Sequence, residues 1–283
     1  MADYPALDLT YPQNPNTPEL LELLYAYLDD FEPLAIHEHE TGDGLRVFFR
    51  SGARRDDAAA AIGRSFAGRV ERLNRIDVRD ERWAERSQAQ LTPIRVGAIV
   101  VAPPWAVPVD SSLQIVVIQP SMGFGTGHHA TTRLCLQLLQ DRPIAGASVI
   151  DIGTGSGVLA IAAWKLGASR ILAIDCDPDA LDNARDNLEL NGAAAAIELR
   201  NSDLSVFDGA AADTVTANLT SAVLQRHARE LCRAVGAGGQ LIVSGFAAGD
   251  LPAIEGAFGT RSIDAATEGA WCAARFVNLP RET

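Results

Sequence analysis

Gly153, Gly155 and Gly157 alternate behind Asp151 in the run Val149–Ile150–Asp151–Ile152–Gly153–Thr154–Gly155–Ser156–Gly157–Val158–Leu159–Ala160. Glycine accepts backbone angles that other residues resist and places no side chain in the way of a ligand. The β-branched residues before the glycines and the alanine-rich stretch after them predict a buried strand, a tight turn and a helix over about 159–166. The first turn of such a helix presents unpaired N–H groups and a partial positive charge. Asp175 stands 22 positions after Gly153, at the end of a second apolar run, Ser169–Ile174. A carboxylate at that distance is placed to accept hydrogen bonds from both hydroxyls of a ribose. Asp151, Gly153, Gly155 and Asp175 are therefore candidate contacts for a cofactor that carries a nucleoside.

The spacing narrows the kind of cofactor. A dinucleotide turn reads G-x-G-x-x-G, whereas this chain has G-x-G-x-G after Asp151–Ile152. That pattern is closer to the class I S-adenosylmethionine-dependent methyltransferases than to nicotinamide-dependent oxidoreductases. A second glycine-rich stretch, Gln119–Pro120–Ser121–Met122–Gly123–Phe124–Gly125–Thr126–Gly127–His128–His129–Ala130–Thr131–Thr132, precedes the first. It reads as an open loop with exposed amides running into a helix that starts near Thr131–Thr132, and so as a candidate ligand wall. His128 and His129 are adjacent, so their side chains diverge on a regular element; a polar loop role fits them better than metal ligation, and no metal is expected.

These residues need a scaffold, and the chain from 149 onward supplies alternating strand and helix patterns, the mark of a parallel sheet. Helices are expected over 179–190 and 221–235. Strands are expected over 197–199, 214–217, 240–244 and 271–277, the last with a weaker hairpin mate at 261–265. Asp203 and Asn218–Leu219 then follow the third and fourth strands, and ligands of such sheets bind beyond the carboxyl ends of the strands. Residues 1–80 read as a separate unit in the order βαββαβ, a ferredoxin-like arrangement. Leu20, Leu24 and Leu28 share one helical face, and Ala58, Ile62 and Phe66 another. The charged stretch 79–96, with Trp83, reads as a linker, and 98–101 and 113–118 as short apolar strands around Pro103–Pro104–Trp105. The expected fold is α/β: a Rossmann-like, mostly parallel sheet over 121–283, a linker and leading strands over 81–120, and a smaller N-terminal α+β domain over 1–80.

Bulk properties exclude several function classes. The net charge of −12 argues against sequence-independent nucleic-acid binding, which relies on Lys and Arg to neutralise phosphates, and suits a basic protein partner. No apolar run reaches the roughly 20 residues of a membrane span, and Met1–Ala2–Asp3–Tyr4 does not resemble a signal peptide. Cys135, Cys176, Cys232 and Cys272 show no paired spacing, so reduced thiols and a cytoplasmic location are expected.

Several of these segments together resemble the bacterial ribosomal protein L11 methyltransferases: Phe124–Thr132, Asp151–Ala163, Asp175–Cys176–Asp177–Pro178, Ala217–Asn218–Leu219 and Glu268–Gly269–Ala270–Trp271. The resemblance covers about residues 115–283, and the order of elements in 1–80 fits that family's substrate-recognition domain. It implies transfer of methyl groups from S-adenosylmethionine to lysine side chains and an N-terminal amine of a ribosomal protein. By motif position it implies that Gly153 lines the cofactor and Asp175 holds its ribose. Phe124, Thr126, Gly127 and Thr132 belong to a wall around its methionine end, Asp203 faces the adenine amino group, and Asn218 and Leu219 lie beside the methyl group as the catalytic pair. A methyltransferase acting on another protein lysine or on a small amine is the alternative.

Overall fold

Alternating apolar residues build the N-terminal part of the chain, residues 3–79, around one small sheet. In the computed structural model, which describes residues 3–14, 17–29, 31, 33–39, 41–79, 91–109, 112–120, 129–206 and 211–280, β1 (Asp3–Thr10) is followed by α1 (Thr17–Asp29), β2 (Ala35–Glu38), β3 (Gly44–Phe48), α2 (Gly52–Ser65) and β4 (Arg72–Arg79). The four strands are antiparallel in the order β2-β3-β1-β4, the ferredoxin-like arrangement expected. Leu7 pairs with Val47 and Leu9 with Leu45. These four pack with Leu20, Leu24 and Leu28 of α1, with Ala58 and Ile62 of α2, and with Phe66 just beyond it, in one buried cluster. Ser51 Oγ caps α2 by accepting the Arg54 N–H at 3.3 Å, and Thr17 Oγ1, at the start of α1, accepts the N–H of Asn14 in the preceding turn at 2.8 Å.

The chain divides into two compact units, and the second begins at residue 91. It opens with β5 (Ile94–Val96), β6 (Ile99–Ala102) and β7 (Gln114–Val117), a three-stranded sheet with β6 in the middle. β5 corrects the linker expected over 79–96: three residues are too few to show alternation, and pairing with β6 fixes the strand. Trp83 lies outside the described residues.

Then follow α3 (Ala130–Gln140), β8 (Ser148–Ile152), α4 (Val158–Lys165), β9 (Arg170–Asp175), α5 (Pro178–Leu190), β10 (Ile197–Asn201), β11 (Ala212–Asn218), α6 (Ser221–Arg226), α7 (Ala228–Ala234), β12 (Val235–Ala247), α8 (Leu251–Phe258), β13 (Asp264–Glu268) and β14 (Trp271–Val277). The large sheet runs β10-β9-β8-β11-β12-β14-β13. Its first five strands are parallel, and β14 joins them antiparallel as one arm of a hairpin. Both faces are covered, as a parallel sheet requires. Val149 and Ala173 join a cluster with Leu134, Ile161 and Leu188, whereas Ile150, Ile152 and Val215 join Leu224, Leu231 and Ile254 in another. β8 feeds β9 on one side and lies against β11 on the other, so the strand order reverses between β8 and β11, and ligands of such sheets bind beyond the carboxyl ends of the strands there.

The second unit departs from expectation in four further places. The helix expected over 221–235 is two helices, α6 and α7, broken at His227 (φ −105°, ψ 23°). Helix α8 was not expected. β13 lies three residues later than its expected position because Gly269, in the left-handed region at φ 59°, allows a two-residue turn from Glu268 to Trp271. β12 runs well beyond 240–244 at both ends.

Candidate active site

The glycine turn takes the shape its composition suggests. Gly153, Gly155 and Gly157 have φ of 68°, 53° and 81°, left-handed values that carry strain for side-chain-bearing residues. Gly157 forms the N-cap of α4. The turn is anchored from behind: the N–H groups of Gly153 and Thr154 donate to the Ile174 carbonyl at 2.9 and 3.0 Å. Asp151 lies beneath it at 1% exposure. One carboxylate oxygen accepts the Thr154 hydroxyl at 2.7 Å, the other that of Thr216 at 2.6 Å. Asp151 thereby ties the turn to β8 and β11 from below. Burial pushes its carboxyl up to about 6 against the opposing pull of the two hydroxyls. Thr216, unremarked in the sequence, holds half of this arrangement.

Asp175 ends β9 beside the turn. Its Oδ2 accepts the Gly155 N–H at 2.9 Å and its Oδ1 the Asp177 N–H at 3.0 Å. Half-buried and held at both oxygens, the carboxylate is fixed at the cleft, with further lone pairs for hydroxyl donors. Asp203 is exposed, and its Oδ1 accepts both the N–H and the hydroxyl of Ser205, at 2.7 and 2.5 Å. These bonds hold its carboxyl below the usual range.

At the end of β11 the chain brings together residues 86 positions apart: Asn218 Nδ2 donates to Thr132 Oγ1 at 3.4 Å. Leu219 follows, its N–H bonded to the Ser244 carbonyl at 2.9 Å. Two glycines make room for it. A Cβ on Gly153 would overlap the Leu219 side chain, and one on Gly245 (φ 95°) would overlap the Leu219 carbonyl. Gly245 has no local sequence signal that marks this role. Phe124, Thr126 and Gly127 lie outside the described residues.

The start of α3 completes the surroundings. His129 is its N-cap, with Nδ1 2.8 Å from Thr131 Oγ1, and its ring meets that of Trp271 edge-on at 4.8 Å between centroids. Burial first, then the Arg133 guanidinium, lower the imidazole's pKa. Arg133 Nε lies 3.0 Å from each Glu268 carboxylate oxygen. The Glu268–Trp271 hairpin turn is thereby fastened to the helix that carries Thr132.

The described parts of the segments that carried the sequence resemblance thus lie at the carboxyl ends of the parallel strands. The family model described as ribosomal protein L11 methyltransferase (PrmA) matches residues 32–278. The chain belongs to the ribosomal protein L11 methyltransferase family. It is an S-adenosylmethionine-dependent methyltransferase of class I fold. A ribosomal protein L11 methyltransferase of Pelotomaculum thermopropionicum is 38% identical over 223 residues, 76% of this chain and 72% of that protein. One from Cupriavidus metallidurans is 43% identical over 169 residues, which span 59% of this chain and 54% of its own length. The crystal structure of a ribosomal protein L11 methylase from Lactobacillus delbrueckii subsp. bulgaricus has a TM-score of 0.61 at 29% identity. It covers 68% of this chain and 100% of its own. The methyltransferase cofactor fits what the cleft contains: a turn held open by left-handed glycines and a carboxylate fixed beside it at ribose-binding distance in the sequence.

Proposed function

We propose that this methyltransferase acts on amino groups of ribosomal protein L11, on lysine side chains and the N-terminal amine. The Asn218–Thr132 pairing at the strand reversal point, beside the glycine turn, carries this reading. Asn218 Nδ2 is directed at Thr132, so its Oδ1 is the end that accepts an N–H from an incoming amine. Gly153 and Gly155 admit the cofactor, Asp175 holds the ribose, and Asp203 lies toward the adenine. Thr132, with Phe124, Thr126 and Gly127, borders the methionine end, and Leu219 walls the methyl position. Asp151 acts from below by fixing the turn.

When bound, S-adenosylmethionine supplies a methyl group made electrophilic by its sulfonium sulfur. The protein's task is to deliver a neutral amine in line with it, and positioning supplies much of the acceleration. A lysine with a pKa of about 10.4 is only roughly 0.04% neutral at pH 7. Withdrawal from water favours the neutral amine, and an acceptor such as Asn218 Oδ1 orients its lone pair.

Residues 1–80 serve in this reading as the substrate-recognition domain, 81–120 as the connection and 121–283 as the catalytic domain. The net charge of −12 suits a basic ribosomal protein. No described helix is long and apolar enough to cross a membrane, and a cytoplasmic setting is the one proposed. The test is transfer of isotope-labelled methyl from S-adenosylmethionine to purified L11 by the full chain, mapped by peptide mass spectrometry. Label on lysine side chains and the N-terminal amine is the expected result. Label confined to another protein or a small amine overturns the substrate assignment and supports the alternative acceptor.

A further inference from the structure

Asn187 lies on α5, 0% exposed, with both ends of its carboxamide in use. Its Oδ1 accepts the Gln119 N–H at 2.8 Å, and its Nδ2 donates to the Ser156 carbonyl at 2.9 Å. One helical turn on, Asn191 grips the same strand: its Oδ1 accepts the Val117 N–H at 2.8 Å and its Nδ2 donates to the Val117 carbonyl at 2.6 Å. β7 is an edge strand. The N–H groups of Gln114 and Ile118 point toward β6, bonding the carbonyls of Ala98 and Ala102, so those of Val117 and Gln119 point away from the sheet. A carboxamide offers a donor and an acceptor, as a peptide group does. Two asparagines four residues apart on one helix face therefore stand in for the missing neighbour strand and satisfy buried backbone groups that would otherwise be costly.

Asn191 bonds both the N–H and the carbonyl of Val117, its Nδ2 also donating to the Asn187 carbonyl one turn back at 2.7 Å. Asn187 differs, because its donor reaches into the glycine turn. The Ser156 carbonyl and the Gly157 N–H belong to one rigid peptide plane, and that N–H donates to the Thr154 carbonyl at 2.9 Å. Holding the carbonyl at one end of the plane holds the turn-closing bond at the other. We propose that Asn187 is a positioning residue for cofactor binding: it locks the Gly153–Gly157 turn to Gln119, from which the chain continues to His129 and Thr132. The proposal rests on the turn being the S-adenosylmethionine site.

Two matched substitutions test it in the full-length protein at pH 8. Asn187→Asp keeps the acceptor for Gln119 and removes the donor to Ser156. Asn191→Asp keeps the acceptor for the Val117 N–H and removes the donor to its carbonyl. The chemical change, helix and edge strand are the same; only the first touches the turn. Calorimetric titration with S-adenosylhomocysteine should show Kd raised tenfold or more by Asn187→Asp and changed less than twofold by Asn191→Asp, with similar losses in Tm. KM for S-adenosylmethionine should rise in the first variant while kcat stays near wild type. If Asn187→Asp does not fold, Asn187→Ser, whose hydroxyl is too short to reach both partners, carries the same expectation. Equal Kd shifts in the two positions, or none in either, overturn the proposal and leave Asn187 a structural residue. Failure of the wild-type protein to bind S-adenosylhomocysteine is a separate outcome that removes the cofactor site and the proposal together.

Discussion

Asn218 and Thr132 share one hydrogen bond at 3.4 Å, and the proposed function gives them different tasks that substitutions separate. Thr132→Ala should raise KM for S-adenosylmethionine. Asn218→Ala should lower kcat about tenfold, the equivalent of one hydrogen bond of ~1–1.5 kcal/mol in the transition state, while changing cofactor affinity less. Steady-state kinetics beside cofactor titration reads both, and wild-type turnover in Asn218→Ala would return that residue to a strand-end turn. Asp151 makes a prediction about pH. Its folded pKa of about 6 lies above the unfolded value of about 3.9. Between the two the folded state holds the proton more tightly, so this group favours folding at low pH, and that contribution is lost as pH rises from 4 to 6. Asp151→Asn has no such titration. Denaturant unfolding at pH 4, 5, 6 and 7 should show the stability of wild type relative to Asp151→Asn falling across that window and level above it. A flat difference would mean the carboxyl is not held in a low-dielectric site.

At the scale of elements, the close approach of Leu219 to Gly153 and Gly245 shapes the cleft. Gly245→Ala would set a Cβ against the Leu219 backbone carbonyl at φ 95°, where neither side can yield cheaply. A stability loss of about 1–3 kcal/mol is expected from denaturant melts, with a larger fall in kcat than in cofactor affinity because the Asn218–Leu219 end of β11 is displaced. Much at this scale was legible in the sequence. Val149–Ile152 and Thr214–Ala217 carry enough β-branched residues to mark central strands, and Asp175 and Asn218 punctuate strand ends. What was hidden depends on tertiary context. No glycine or proline marks the break at His227, whose geometry only packing reveals. Helix α8 starts at Leu251–Pro252 after Ala247–Ala248–Gly249–Asp250, a stretch that reads locally as loop. Three-residue β5 has no periodicity of its own. Asp151 and Asn187 have ordinary local settings, and their roles come from Thr216 and from Gln119 and Ser156, 65 and up to 68 positions away.

At the scale of the whole molecule, the proposed reading assigns recognition to the first unit and chemistry to the second. A chain beginning at residue 81 should bind S-adenosylmethionine with near-native affinity yet lose activity on intact L11. Full activity of that shortened chain would move recognition into the second unit. The strand order β10-β9-β8-β11-β12-β14-β13 brings Gly153, Asp175, Thr132 and Asn218 to one edge of the large sheet, and everything proposed for the reaction depends on S-adenosylmethionine occupying that edge. Isothermal titration of S-adenosylmethionine against the full chain and its Asp175→Ala variant tests this most directly. The intact chain should bind one equivalent. The variant, without the carboxylate proposed to accept the ribose hydroxyls, should bind about 2–4 kcal/mol more weakly, a factor of roughly 30 to 700 in Kd. Equal affinity in the two proteins, or no binding by the intact chain, would contradict the site.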